Sequence, residues 1–244
     1  MALNLRHGRT FLIAEAGTAH SALDPADRRN RALLYCRVAA AQGADAIKFQ
    51  MFVPNESLFC PVDGDEGRWK RWRQSFLTLD DWAAVRDEAK RLGLVFLASA
   101  FQDTAVDWLR RLNVAAYKVA SRAEILFPYR ECPGPFIVSC RIPSGDPGEY
   151  HRNAYHLYCV PEYPCPLDKA RWPGPKFDGL SDHSGTIWPG LDAIFRGARI
   201  LEVHFAIDKD HAGPDGPVSL EGDQLGLLCQ ARDAVVAMRG GVVE

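Results

Sequence analysis

Eight short runs of β-branched, aromatic and small apolar residues recur along the chain, at 11–14, 46–50, 94–98, 116–119, 136–139, 155–160, 179–181 and 200–205. Between several of them the apolar spacing lengthens from every second residue to every third or fourth, the period of a helix. That alternation constrains the fold more than any other feature, because a strand followed by a helix returns to the sheet as a parallel neighbour. Eight such units in a chain of 244 residues predict one α/β domain over 1–244, a closed (β/α)8 TIM barrel.

The helices are marked unevenly. Asp24 caps one that Pro25 opens, and Leu34, Val38 and Ala41 share its face until Gly43 stops it. Thr78 with Asp81 reads as a capping box ahead of Trp82, Val85, Ala89 and Leu92. Further patterns lie at 103–112, at Leu191, Ile194, Phe195 and Ala198, and at 220–238. About five helices for eight strands leave the second half with shortened or missing crossovers. Pro143, Gly145, Pro147 and Gly148 interrupt one connection, and 161–179 is equally rich in proline. Strands left bare on that flank predict a homo-oligomer whose interface covers them. The stretch from Met51 to Phe76 reads as a long loop folded as a lid. It carries Trp69 and Trp72 among Arg68, Lys70, Arg71 and Arg73, with Asp63, Asp65 and Glu66 as acidic company.

Charge and cysteine content exclude several classes. Lys and Arg number 29 against 31 Asp and Glu, a net charge of −2, without the basic face that a nucleic-acid partner requires. No apolar run approaches the roughly 18 residues of a membrane span, and the first residues carry no signal-peptide pattern. The seven cysteines are odd in number and form no C-x-x-C pair. Reduced thiols in a cytoplasmic protein are therefore expected, rather than a disulfide framework or a zinc knuckle.

In a barrel of this kind the chemistry gathers where the strands end. Those ends supply Glu15, Lys48, Gln50, Ser99, Lys118, Ser121, Ser139, Tyr163, Ser181, His183 and His204. Two lysines and several hydroxyls suit an anionic, phosphorylated ligand, and two neutral imidazoles suit a divalent ion with open positions. Taken singly, each residue has a plainer explanation. A strand lysine can snorkel from the mouth, and a lone histidine is more often a hydrogen-bonded structural one.

Ile13-Ala14-Glu15-Ala16-Gly17 with His20, Gly43-Ala44-Asp45-Ala46-Ile47-Lys48-Phe49-Gln50, Tyr117-Lys118-Val119-Ala120-Ser121, Leu180-Ser181-Asp182-His183-Ser184 and Val203-His204-Phe205 follow one another in order. Gly213-Pro214-Asp215 with Ser219-Leu220 completes the series. Together they resemble the N-acetylneuraminate (sialic acid) synthase family of phosphoenolpyruvate-using sugar synthases, over nearly the whole chain. The resemblance implies a metal-dependent condensation of phosphoenolpyruvate with an aldehyde sugar, releasing phosphate and leaving a 2-keto-3-deoxy acid. It implies Mn²⁺ or Mg²⁺ on His183 and His204. Lys48, Lys118, Ser121, Ser139 and Ser181 would hold phosphoenolpyruvate; Ser99 joins them by its strand-end position, and Arg122, new relative to the family, is expected as a third cation. Glu15 would act as acid/base or hold the metal's water, and Gln50, Tyr163 and Asp215 would face the acceptor.

Departures from the family pattern fall mostly on the acceptor side. Ala19 stands where the family carries Asn, Arg122-Ala123 where it carries Gly-Glu, Cys140-Arg141 where it carries Thr-Gly, and Pro161-Glu162 near Tyr163 replace polar sugar contacts. The family's C-terminal antifreeze-like domain is not expected in this chain. An atypical acceptor is therefore expected, with N-acetylmannosamine a poor one. Two other readings remain at this stage. One is a barrel metal hydrolase or lyase using His183, His204 and Glu15; the other is a non-catalytic relic of the family.

Overall fold

Inward and outward side chains alternate along the strands of the computed structural model, which describes residues 3, 5, 7–54, 56–58, 66–124, 126–140 and 153–241. Strands β1 (Phe11–Gly17), β2 (Ala46–Met51), β3 (Val95–Ala100), β4 (Tyr117–Val119), β5 (Phe136–Cys140), β6 (Ala154–Cys159), β7 (Gly179–Asp182) and β8 (Ile200–His204) pair in sequence order. All pairs are parallel and β8 closes on β1, with Glu15 opposite His204. This is the TIM barrel that the alternating periods predict.

Because side chains in a strand change face at every residue, the barrel interior can be read off in layers. Phe11, Ile13, Ala46, Val95, Leu97, Ala116, Ile137, Leu157 and Ile200 form one buried apolar cluster that fills the lower interior. One or two steps further along the same inward rows the residues become Glu15, Lys48, Ser99, Lys118, Ser139, Cys159, Ser181, Glu202 and His204. Residues of the opposite parity, such as Leu12, Ile47, Phe96, Val138 and Leu201, face the helices. At the start of β7 a side chain on Gly179 would collide with the backbone of Ile200, so only glycine lets β7 and β8 approach so closely there.

Helices α1 (Pro25–Ala41), α2 (Glu66–Ser75), α3 (Leu79–Arg91), α4 (Asp103–Arg111), α5 (Trp188–Arg196) and α6 (Gly222–Met238) lie outside. The expected caps form. The Ala26 N–H donates to Asp24 at 2.8 Å, and Thr78 and Asp81 satisfy one another's backbone N–H groups. The segment expected as an extended loop contains α2 instead. Ten residues with Trp69 and Trp72 as their apolar marks are too few to show a helical period.

The second half has the trimmed crossovers that its prolines imply. Among the described residues, 3-10 turns and coil join β4 to β5 and β6 to β7; the connection over 141–152 lies outside the described residues. The outer side of β5 is nevertheless buried, which narrows the expected bare flank to β6. Tyr129 and Phe127 pack on Phe136 with ring centroids 5.2 and 6.3 Å away, and Phe177 packs on Tyr158 at 5.2 Å. The Trp172 indole fastens that coil by donating to the Phe177 carbonyl at 3.2 Å. Ala154, His156 and Tyr158, on the outer side of β6, remain half-buried.

At the opposite end from the strand tips, Asp45 accepts from the Leu12 N–H (2.8 Å), Arg9 (2.5 Å) and the buried Arg232 (2.7 Å). One carboxylate thereby ties the N-terminal segment, β1 and α6 together. No helix among the described residues is long and apolar enough to cross a membrane. Cys36, Cys132, Cys140, Cys159, Cys165 and Cys229 are buried and unpaired, and Cys60 lies outside the described residues.

Candidate active site

The upper interior holds a run of buried charge. Lys48 on β2 stands 2.6 Å from Glu15 on β1 and 3.8 Å from Glu202 on β8. Lys118 on β4 lies 3.6 Å from the same Glu202 oxygen and donates to Ser139 on β5 at 2.7 Å. Ser181 on β7 donates to the other Glu202 oxygen at 2.9 Å. Each of these six residues is at most 3% exposed, so the charges are stable only because they hold one another.

The titration behaviour follows from that packing. Burial raises the Glu15 carboxyl to about 7; repulsion from Glu202 and Asp215 adds to the rise, and Lys48 opposes it. Burial pushes Glu202 up as well, but Lys118, Lys48 and the Ser181 hydroxyl outweigh it and hold this carboxyl at about 2. Burial lowers Lys118, whereas at Lys48 the two carboxylates overcome burial and the shift is upward. One carboxyl thus titrates near neutrality beside another that stays ionised, an arrangement suited to general acid/base work.

Two imidazoles adjoin this run. His183 follows β7 and His204 ends β8, with ring centroids 5.2 Å apart. Burial and the neighbouring His204 push His183 to about 4, and burial lowers His204 too, so both rings are neutral with lone pairs to offer. His183 Nδ1 faces the Val160 carbonyl at 3.4 Å and Cys159 Sγ at 3.8 Å. A proton on Nδ1 leaves Nε2 as the coordinating atom. His204 Nδ1 is buried without a hydrogen-bond partner among the described residues, as is Ser99 Oγ. Two neutral imidazoles fit a divalent ion. Among the described residues no three His, Cys, Asp or Glu side chains converge as a ligand set, so water or substrate oxygens would complete its shell.

Tyr163, about half exposed, packs its ring 5.0 Å from His183 and 5.8 Å from His204 and donates to Asp215 at 2.5 Å. Asp215 lies on the 3-10 turn Gly213–Val218 after β8. Its other oxygen is 2.5 Å from where a Gly17 side chain would begin, and Gly17 has φ +55°. A side chain at Gly17 would evict the carboxylate.

Of the residues expected from the sequence, Glu15, Lys48, Lys118, Ser139, Ser181, His183, His204, Tyr163 and Asp215 share these contacts. Ser99 pairs in register with both Gln50 and Lys118, while Gln50 makes no site contact among the described residues. Ser121 opens a 3-10 turn after β4. The Arg122 guanidinium lies over Phe101 (4.8 Å) and Trp72 (5.4 Å). Glu202 and Cys159 were missed. Period two from His204 points to Glu202, and the same step from Leu157 points to Cys159.

A closed parallel barrel with paired lysines, ionised and protonatable carboxyls and two neutral histidines at its mouth is the α/β-barrel class in which chemistry gathers at the strand ends. The family model described as NeuB family matches residues 35–131 and 148–244. This chain belongs to the NeuB family. It is 28% identical to the N,N'-diacetyllegionaminic acid synthase of Campylobacter jejuni, over 96% of this chain and 79% of the relative. It is also 28% identical to a pseudaminic acid synthase of the same species, over 97% of this chain and 77% of the relative. Among solved structures, the N-acetylneuraminic acid synthetase of Leptospira borgpetersenii superposes with a TM-score of 0.76 at 23% identity, covering 97% of this chain and 87% of that one. The shared architecture is thus the barrel, and the relatives are sugar-acid synthases.

Proposed function

We propose that the protein condenses phosphoenolpyruvate with an aldehyde acceptor, a sugar or a close analogue, releasing phosphate and forming a 2-keto-3-deoxy acid. The observation that carries this reading is the run Glu15–Lys48–Glu202–Lys118–Ser139, closed off beneath by apolar residues and flanked by His183 and His204. Lys48 and Lys118 supply fixed positive charge for the phosphate and carboxylate of phosphoenolpyruvate, and Ser99, Ser121, Ser139 and Ser181 supply hydrogen bonds. Arg122 adds charge beside Ser121. Gln50, Tyr163 and Asp215 face the acceptor.

In this scheme C3 of the enol bonds to the aldehyde carbon and the carbonyl oxygen gains a proton. Water adds at C2 and gives up one proton, and the C2 hydroxyl so formed gives its other proton to the departing phosphate as the C2–O bond to it breaks, leaving the C2 ketone. Glu15, which holds a proton near neutral pH, donates or receives it at these steps. His183 and His204 would hold Mn²⁺ or Mg²⁺, which when bound would polarise the aldehyde oxygen as a Lewis acid. The substitutions Ala19, Ala123 and Pro161 favour an acceptor other than N-acetylmannosamine. A cytoplasmic setting is part of the proposal, as is self-association through the half-buried outer side of β6, which sedimentation at micromolar concentration checks.

The deciding assay follows phosphate release and product mass for phosphoenolpyruvate with a panel of aldoses, with Mn²⁺ or Mg²⁺ added. Release that requires an aldose, together with the mass of the condensed acid, supports the proposal. Release without any aldose points to the hydrolase reading, and binding without release to the non-catalytic one. His183→Ala and His204→Ala should each lose metal content and turnover together.

A further inference from the structure

Arg71 and Trp72 are neighbours on α2, yet they reach different loops of the barrel mouth. The Arg71 guanidinium donates from Nε to Thr18 Oγ1 at 2.7 Å, and from Nη2 to the carbonyls of Thr18 (3.1 Å) and Ala212 (2.7 Å). One side chain therefore ties α2 to the loops after β1 and β8. Gly213, next to Ala212, has φ +63°, and a side chain there would run into the guanidinium, so the backbone is shaped for this approach. Two residues on stands Asp215, which meets Tyr163 and borders Gly17.

Trp72 faces the other way. Phe52, just past β2, stacks on it with centroids 4.2 Å apart, and Phe101, just past β3, stacks on Phe52 at 4.9 Å. The Arg122 guanidinium, beside Ser121 at the end of β4, rests against both Trp72 and Phe101. The C-terminal end of α2 is pinned as well. Ser75 and Gln74 offer their carbonyls to His20 Nε2 (2.8 Å) and the Ala22 N–H (3.0 Å).

We infer that α2 is a strap across the mouth, in which Arg71 is a positioning residue for the acceptor side and Trp72 one for the phosphoenolpyruvate side. Arg71 acts through the turn that carries Asp215, and Trp72 acts through Arg122. The naming of the two sides rests on the condensing reading above. A reaction between two bound substrates gains most from holding both at once in a fixed relation, and a helix that fixes both sets of loops supplies that relation.

The test uses Arg71→Met and Trp72→Leu, with hydrogen exchange over 213–218, calorimetry with phosphoenolpyruvate, and kinetics with the best aldose of the panel. Arg71→Met should speed exchange at 213–218 about tenfold and raise the aldose KM about tenfold, leaving phosphoenolpyruvate affinity within about threefold. Trp72→Leu should weaken phosphoenolpyruvate about fivefold and leave that exchange within about twofold of the parent. Trp72→Phe, which keeps a stacking face, serves if Trp72→Leu does not fold. The same change in both readouts from both substitutions, or no change from either, overturns the strap. If no aldose turns over, the condensing reading fails, while exchange and phosphoenolpyruvate binding still decide the roles of Arg71 and Trp72.

Discussion

Glu15→Gln separates what the mouth does for chemistry from what it does to stability. The Glu15 carboxyl titrates at about 7 in the folded protein against 4.5 as a free group, chiefly because it is buried and secondarily because Glu202 and Asp215 repel its charge. A carboxyl raised in this way stabilises the fold while protonated. Its contribution is complete below pH 4.5 and is lost as pH rises through 7. The shift corresponds to about 3 kcal/mol at 1.36 kcal/mol per pH unit. For 244 residues the unfolding entropy is about 0.5 kcal/mol/K, so 1 kcal/mol moves the melting temperature by about 2 °C. Glutamine keeps the shape and does not titrate. Melts of parent and variant at pH 5 and pH 8, with chelator present, should show the variant gaining about 2–3 kcal/mol relative to the parent between the two, or about 5 °C. Condensation should fall in the same variant. A stability gap that stays flat with pH, or moves the other way, refutes the reasoning.

Lys118→Met removes the cation that touches Ser139 and should weaken phosphoenolpyruvate about 100-fold in calorimetry while the protein stays folded. Asp45→Ala strips a carboxylate from the buried Arg232 and from the Leu12 N–H. It should cost about 3 kcal/mol in denaturant titration and leave phosphoenolpyruvate affinity unchanged, because Asp45 lies at the far end of the barrel. Gly17→Ala forces a side chain onto the Asp215 carboxylate in a left-handed backbone. It should lower the melting temperature by about 2–4 °C and kcat/KM for the acceptor at least about tenfold.

The strands were legible because burial on both faces leaves a signature that survives in a single sequence. Runs such as Phe136 to Cys140 are apolar at nearly every position, as a barrel strand must be between an inner and an outer core. The site was legible where charge interrupts such a run, as at Lys48 and Lys118. Glu202 escaped because one carboxylate in a strand resembles a solvent-facing residue until His204, two places on, fixes which face is inward. Helix α2 escaped for a different reason. Its holding contacts join Arg71 to residues 53 and 141 positions away, and no local pattern announces a partner at that distance. The aromatic cover over β5 to β7 escaped likewise, since coil has no period to read.

The division of the barrel interior into an apolar floor and a charged storey bears on how such a protein can change. The floor residues and the Asp45 clamp keep the cylinder closed without touching a substrate, whereas the mouth is crowded with groups that strain against their own burial. Residues above the floor, such as Ala19, Arg122 and Pro161, can therefore differ from the family pattern while the cylinder beneath stays intact. The mouth and the cylinder are thereby free to vary independently of one another.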